Sequence, residues 1–510
     1  MRLIPGICLL LVSVVAGGHV AAAAARPASG PAAPSPASIQ EPPRQVVIYT
    51  KDNPPLTPKP EDLALADTVT RYGITWKFGE KVRVGRFVNG DCYVVGPVTV
   101  TEITPAPQNG RNQSVLNLPA NTAGASPFDD RVTGGRGTDG QKLRARLPVR
   151  MKPGDALISS ISVEPDTIPD FLRPADKNIS PVGTVSVLTS IGEPAPPDAF
   201  RPGYCDRQQK IYLARNLRRD ILPRLPRQNI RMRTDSGNLT IADFVRAYDR
   251  PWLDVCFFSF DAAILYQPQY GRELGRAAGI SSLLLMLDLK PEEKEPLLAG
   301  VVQRGIDLWG IVRAGYSGWQ AHGGHGSGRK LPIVFAGIML GDQEMQQPVR
   351  KFPQLKFGED MQTIFAKGWT GAKAVYAGHV GEKGVPDKPD CGAYEHLPPA
   401  QWPGRLGEDY RRTCTSLAWV GQALALRILH AEKTWDHDAF FAYVDRWMTE
   451  DDTRHIEEIK KAKGYDYSQE WARQRQCWDP FVEDMWARYR NNLPPAPDGH
   501  KDPGAEETWK

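Results

Sequence analysis

The spacing of hydrophobic residues changes near residue 195, and this change divides the chain into two parts. Before it, short runs rich in β-branched and aromatic residues are separated by polar turns, a pattern typical of strands. We predict strands at residues 46–49, 74–78, 82–88, 92–100, 157–163 and 184–188. Asn89-Gly90-Asp91 joins two of these runs and has the composition of a hairpin turn. Residues 44–195 are therefore predicted to form an antiparallel, sandwich-like β domain.

After residue 195 the hydrophobic period lengthens to that of a helix, about 3.6 residues. We predict helices at residues 239–248, 273–287, 292–313, 331–340, 360–366, 410–430, 437–448 and 469–490. No strand-like run separates these segments, so residues 239–492 are predicted to form an all-α domain of helical hairpins. A connector at 196–238 precedes this domain and a loose tail at 493–510 follows it. The fold class predicted for the chain is α+β multidomain.

The start of the chain has the pattern of a targeting segment. Arg2 provides a positive start, residues 7–15 form a short apolar run, and small residues that suit cleavage follow. We predict a signal peptide at residues 1–25 and an Ala/Pro/Ser-rich spacer at residues 26–43. The protein is therefore expected to be secreted or periplasmic.

Composition narrows the choice of partners. The chain has 510 residues, of which 41% are hydrophobic and 24% charged, with a net charge of +4. Because the net charge is small and no concentrated basic field is present, we expect no nucleic-acid partner. Beyond the signal, no apolar segment approaches the roughly 18 residues of a membrane span. Six cysteines lie beyond the signal, and we predict that Cys391 pairs with Cys414, with buried free thiols as the alternative.

Residues 315–330 form the segment richest in chemically useful side chains. It combines many glycines with two histidines, two cations and two aromatic residues. Glycines let backbone and ligand approach closely, and Arg329 and Lys330 lie at the start of a predicted helix, where anions bind well. We predict an active-site loop that recognises a carboxylate or sulfate on a sugar. The alternative is a flexible turn with solvated charges.

Two other chemistries were weighed for this loop. Residues 323–330 nearly match a phosphate-binding motif, but Arg329 replaces its lysine, Lys330 replaces its hydroxyl residue, and no predicted strand precedes it. A zinc site around His322 and His325 would need further ligands brought in by folding. The candidates for those ligands are His379, Asp390, Cys391 and His396. We predict no cofactor and keep a structural or catalytic divalent metal as an alternative.

A second polar cluster is Tyr394-Glu395-His396, which lies in a predicted loop with Trp402 nearby. It is interpreted with equal weight as functional or as structural. Trp319 and Trp402 both lie in predicted loops, so they are candidates for stacking on a sugar ring. Half-buried hydrophobic side chains are the alternative for both.

A β domain followed by a large helical domain, behind a signal peptide, resembles carbohydrate-active enzymes. In these enzymes the catalytic part is an α/α toroid, and the resemblance is closest to polysaccharide lyases and to some glycoside hydrolases. It is architectural and covers most of the mature chain, without a motif that fixes one family. The resemblance implies an incomplete α/α toroid and an anionic polysaccharide or oligosaccharide as the substrate.

A lyase acting on a uronic-acid glycan must stabilise a carbanion-like state at C5, remove the C5 proton and protonate the leaving oxygen. The resemblance implies Tyr and His for proton transfer, with a cation at the carboxylate. We assign Arg329 to the carboxylate, His325 as the base and Tyr394 as the acid. Predicted substrate-binding residues are Tyr316, Trp319, His322, Lys330, Glu395, His396 and Trp402.

Two alternatives stay open at this point. A glycoside hydrolase needs two carboxyl groups flanking the scissile bond. Glu395 is one candidate, and the second could be Asp390, Glu408 or Asp409. The third possibility is a non-catalytic glycan-binding surface protein.

Overall fold

The computed structural model describes most of the chain beyond the predicted spacer. The described residues are 46–122, 127–132, 139–163, 181–231, 239–254, 264, 266–268, 270–381 and 392–496. The predicted signal peptide and spacer lie outside the described residues.

The first half is built around one large sheet. Its strands are β1 (Ala64–Arg71), β2 (Ile74–Arg86), β3 (Cys92–Val95), β4 (Val98–Thr104), β5 (Ser114–Leu116), β6 (Val149–Met151), β7 (Ala156–Ser162) and β8 (Val182–Ile191). Seven strands follow one path in the order β5-β7-β8-β3-β2-β4-β6, and β1 pairs with β2. The pairs are antiparallel except for β3 and β8, which run parallel. The sheet is nearly closed and resembles a barrel.

The prediction of a two-sheet sandwich is therefore wrong. The two predicted strands at 74–78 and 82–88 are one continuous strand, β2, of 13 residues. β4 pairs with the start of β2, and β3 pairs with its end. One long strand therefore holds in a single sheet the strands that a sandwich would divide between two sheets. Pairing irregularities in β1–β2, β2–β4 and β7–β8 increase local twist and help one sheet curl on itself. Residues 46–49, predicted as a strand, have no regular structure.

β7 and β8 are buried along their whole length because both of their faces are covered. On one face Leu157, Ile161 and Leu188 join the sheet's own core, where the Trp76 indole donates to Ser159 Oγ over 2.9 Å. On the other face, Ile158 and neighbouring valines join the large core of the helical part. These two strands thus form the wall between sheet and helices.

The second half is mainly helical. Its helices are α1 (Ile241–Tyr248), α2 (Tyr270–Leu285), α3 (Pro291–Arg313), α4 (Lys330–Leu340), α5 (Gln343–Gln346), α6 (Pro348–Lys351), α7 (Gly358–Gln362), α8 (Leu406–Tyr410), α9 (Ser416–Ile428), α10 (Glu432–Trp435), α11 (Asp438–Thr449), α12 (Thr453–Lys463) and α13 (Pro480–Tyr489). A single π-helical turn, Arg411–Thr415, joins α8 to α9. Among the described residues no helix is long and apolar enough to cross a membrane.

The prediction of an all-α array of hairpins, with the toroid that it implied, is also wrong. Two small sheets interrupt the helices: β9 (Gly318–Trp319) pairs in parallel with β10 (Lys356–Phe357), and β11 (Thr363–Phe365) pairs antiparallel with β12 (Ala374–Tyr376). β11 replaces the second half of the helix predicted at 360–366. In addition, α2 packs most extensively on α9, which is distant in sequence, rather than on the next helix. Periodicity detects apolar faces but does not reveal which face meets which.

A buried charge network joins the sheet to α3. The Asp91 carboxylate, in the turn before β3, accepts from Arg201 Nε at 2.6 Å and from Arg71 Nε at 3.2 Å. Arg201 also donates to Asp307 of α3 at 2.7 Å, and both guanidinium groups are fully buried. Burial alone would raise the pKa of Asp91, but Arg201 and Arg71 hold it below its ordinary value. Asp91 therefore also serves as the counter-ion of two buried arginines, besides lying in a turn.

Replacing Arg201 should destabilise the whole protein. Arg201→Met leaves the buried Asp91 and Asp307 carboxylates without their shared cation, a change that typically costs about 3–5 kcal/mol. We expect a clearly lower urea midpoint for this variant. Lys77→Met is the control, because it removes an exposed pair with Glu102 that contributes little. Equal midpoints for the two variants would contradict this role of Arg201.

Candidate functional site

Arg329 anchors the glycine-rich segment to the protein interior. It precedes α4 and is fully buried. Its guanidinium donates to Asp254 Oδ1 at 2.8 and 3.2 Å and to the Ser327 carbonyl at 2.9 Å. It also donates to the carbonyl of His325. The other Asp254 oxygen accepts from Arg304. The backbone that carries His325 is thus tied directly to a buried ion pair.

Two glycines allow the loop to lie directly on the turn between α8 and α9. A Cβ on Gly323 would lie 2.1 Å from the ring of Tyr410, and φ at this glycine is +58°. A Cβ on Gly324 would lie 2.2 Å from the carbonyl oxygen of Cys414. These approaches are possible only without side chains. The loop is therefore packed against the protein here and is not a solvated turn.

Five half-buried side chains lie around this loop in two groups of neighbouring rings, and we call them the histidine–tyrosine cluster: Tyr270 with His325, and His322 with His379 and Tyr410. The ring centroids of His379 and Tyr410 are 4.0 Å apart, and those of Tyr270 and His325 are 4.5 Å apart. His322 and His379 are 6.1 Å apart and nearly perpendicular. Imidazole and phenol groups are the usual carriers of protons in enzyme sites.

Backbone strain accompanies the cluster. His322 has φ of 130°, a conformation that L residues rarely adopt, and Tyr270 has φ of 68°. His322 N and Gly323 N both donate to the carbonyl of His379, at 3.1 and 2.7 Å. Such strain persists only where the surroundings over-determine the backbone, and it occurs often at functional sites.

Tyr270 is held as a neutral phenol. Burial, together with the neighbouring Cys414, raises its pKa well above the ordinary value. Its hydroxyl accepts from Gly324 N at 2.8 Å. The Arg272 guanidinium lies 5.4 Å from the Tyr270 ring centroid and donates to the Thr413 carbonyl at 2.8 Å. Arg272 also pairs with Glu273 at 2.6 Å, so the cluster has an ion-paired cation at its edge.

The other predicted residues of the loop make contacts within the protein. Trp319 is fully buried and donates from its indole nitrogen to the Asp254 carbonyl at 3.1 Å, with Tyr316 packed edge-on against it. Lys330 is buried and pairs with Asp360 at 2.6 Å. With Arg329 paired to Asp254, both cations of the loop therefore serve internal carboxylates.

The second predicted cluster belongs to a separate buried network. Glu395 accepts from Arg446 at 2.8 and 2.9 Å, and Arg411 lies 3.4 Å from it. The hydroxyl of Tyr394 donates to Glu408. Burial opposes ionisation of Glu408, yet the adjacent arginines lower its pKa to about 2. Both carboxylates are thus held as counter-ions within the protein.

The remaining predicted residues of this region have diverse environments. Trp402 is buried and packs edge-on against Tyr394, whereas His396 is exposed. Asp409 accepts from Tyr467 at 2.6 Å. Asp390 lies outside the described residues. The structure therefore does not bring Tyr394, Glu395 or His396 into the histidine–tyrosine cluster; Tyr376 lies between the two groups, donating from its backbone to Glu395.

Cysteine pairing differs from the prediction. Cys414 is a free thiol, so the predicted disulfide is absent, and Cys391 lies outside the described residues. Three further cysteines are free and buried: Cys92, Cys205 and Cys477. In the described part of the chain, no group of three or more His, Cys, Asp or Glu side chains is arranged to hold a metal ion.

The sequence pointed to His322, His325 and, as a possible ligand, His379, but it missed Tyr270 and Tyr410 as site residues. Tyr410 ends α8 immediately before the π-helical turn. π-Helical turns occur frequently at functional sites, yet nothing in the hydrophobic period reveals one.

In comparisons with known proteins, no family model matches the chain, and no curated protein or solved structure is significantly similar to it.

A buried carboxyl group supports the loop from a second side. Glu359 is fully buried and accepts from Gly328 N at 2.6 Å, while its Oε2 has no hydrogen-bond partner among the described residues. Burial raises its pKa to about 7, Asp360 adds to the rise, and Lys330 opposes it. The carboxyl is thus held in its protonated form at mildly acidic pH.

This raised pKa predicts a pH-dependent stability. The folded pKa lies above the ordinary 4.5, so the contribution of Glu359 is complete below 4.5 and is lost as pH rises through about 7. Glu359→Gln keeps the group neutral at every pH. We expect the melting temperature of the wild type to fall over this range more steeply than that of the variant. Parallel profiles for the two proteins would show that Glu359 does not titrate in this way.

Proposed function

We propose that the protein is a secreted polysaccharide lyase that cleaves a uronic-acid-containing glycan by β-elimination. The observation that carries the proposal is the histidine–tyrosine cluster, in which three imidazoles and two phenols lie around one packed loop. The signal peptide predicted from the sequence accords with a substrate outside the cell.

The reaction needs an acid and a base but no water. The base takes the proton from C5, the electron pair forms the C4–C5 double bond, and the C4–O4 bond breaks. The acid gives its proton to O4, so the preceding sugar leaves as a new reducing end. The products are an unsaturated uronate and a shortened glycan.

His379 and Tyr410 suit these two roles better than the pair predicted from the sequence. Their ring centroids are 4.0 Å apart, so an imidazole and a phenol stand side by side, and the reaction needs a base and an acid acting on neighbouring atoms of one sugar. His325 packs on Tyr270 instead, and the Tyr394 hydroxyl is engaged by Glu408. We assign His379 as the base and Tyr410 as the acid.

The substrate carboxylate needs donors or positive charge nearby. Arg329 is fully buried with Asp254, so we assign this role to other groups. Arg272 stands at the edge of the cluster, its guanidinium 4.7 Å from the ring of Trp478. It also pairs with the buried Glu273 at 2.6 Å, so a bound carboxylate would share its charge with that residue. Together with the imidazoles of His322 and His325, it could neutralise the carboxylate as the C5 proton is lost.

The hydrolase alternative receives less support. A hydrolase requires two carboxyl groups on either side of the scissile bond. Glu395 is 3% exposed and Glu408 is 2% exposed, and arginines surround both. Neither carboxylate can therefore reach a glycan without breaking a buried ion pair.

The lyase proposal is tested with the full chain and a panel of uronic-acid polysaccharides. We expect the ultraviolet absorbance of the conjugated double bond to rise, and Tyr410→Phe or His379→Gln to lower kcat about 10²-fold or more. The exposed His396→Gln serves as the control and should retain activity.

Other outcomes would replace the proposal. New reducing ends without unsaturation would establish a hydrolase. Binding without any turnover would establish a glycan-binding protein. Melting temperatures of the variants show whether a loss of activity reflects a loss of fold.

A further inference from the structure

Gln362 connects the two segments that carry the histidines. It ends α7 immediately before β11, and its side chain is fully buried. Its amide nitrogen lies 3.1 Å from the carbonyl oxygen of Gly323, 3.2 Å from that of Gly378 and 3.0 Å from that of His379. It also lies 2.8 Å from the hydroxyl oxygen of Tyr376.

The orientation of this amide is determined by what surrounds it. The three carbonyl oxygens can only accept hydrogen bonds, so the NH₂ group must face them. The amide oxygen has no hydrogen-bond partner among the described residues. Turning the amide over would place its oxygen against three carbonyls, which is worse than leaving that oxygen unpaired.

The carbonyl groups that accept from Gln362 belong to both of the segments that carry the histidines. Gly323 follows His322 on the glycine-rich loop, whereas Gly378 and His379 follow β12. The two segments also contact each other directly, because the His379 carbonyl accepts from His322 N and Gly323 N. The Gly378 carbonyl also accepts from Gly381 N, so losing the donor at residue 362 would fall mainly on the buried Gly323 carbonyl of the loop.

We infer that Gln362 is a positioning residue that fixes the His379 segment against the His322 loop and so sets the geometry of the histidine–tyrosine cluster. It touches no reacting group itself. The consequence for catalysis rests on the proposed lyase function, whereas the effect on the histidines does not.

The reactivity of individual histidines tests the inference in the intact protein. Gln362→Met preserves the approximate volume of the side chain but removes both hydrogens. We expect diethyl pyrocarbonate to modify His322 and His379 several-fold faster in this variant, as mapped by mass spectrometry. The exposed His396 provides the internal reference.

Gln346→Met is the matched control. Gln346 is also buried, but its amide donates to one carbonyl, that of Gly337, within the α4–α5 region. We expect wild-type rates at His322 and His379 in this variant. Equal acceleration in both variants, or equal acceleration of all histidines, would overturn the inference, because it would indicate general loosening.

Gln362→Glu provides a second test should the methionine variant fold poorly. An ionised glutamate donates no hydrogen, while a protonated one donates a single hydrogen. Relative to wild type at the same pH, the rates at His322 and His379 should be raised near neutrality and return toward wild type in acid. Wild-type rates at every pH would contradict the inference.

Activity separates this inference from the lyase proposal. If the protein cleaves a glycan, Gln362→Met should lower kcat with little change in KM, since it disturbs the reacting groups more than binding. Altered histidine reactivity in a protein without lyase activity would retain Gln362 as a positioning residue and reject the proposed function. Lyase activity together with wild-type histidine reactivity in Gln362→Met would support the proposed function and reject Gln362 as a positioning residue.

Discussion

The buried ion pair between Arg329 and Asp254 is the contact on which the candidate site depends. A guanidinium removed from water is unfavourable unless its charge and its hydrogens are satisfied. Arg329 meets this condition by using Asp254 and the carbonyls of Ser327 and His325. The loop must therefore fold back over the guanidinium, and this path carries His322 and His325 to the surface.

Further contacts fix the loop relative to the other residues of the histidine–tyrosine cluster. Gly323 and Gly324 lie against the π-helical turn, so the loop and Tyr410 have a fixed separation. Gln362 then joins the loop to the His379 segment. Each step holds the backbone of the loop through a buried or tightly packed neighbour, which explains how a glycine-rich segment can hold several histidines in place.

Much of the secondary structure could be predicted from the sequence, since periodicity located most strands of the sheet and the long helices α2, α3 and α9. The arrangement could not be predicted in the same way. β3 pairs with β8, about ninety residues later, and this pairing leaves no local signal. The same limit applies to the site. The composition of residues 315–330 singles out this loop, but its sequence does not reveal that Arg329 and Lys330 are paired internally, because Asp254 and Asp360 are distant in sequence.

The candidate site requires the loop to be a rigid support for the histidines and not a mobile turn. Hydrogen exchange of its backbone amides measures this directly. The amides of Gly323 and Gly328 donate to the His379 carbonyl and to Glu359, at 2.7 and 2.6 Å. We predict that they exchange as slowly as the amides of α4. Exchange as fast as at the exposed Gly371 turn would contradict the account.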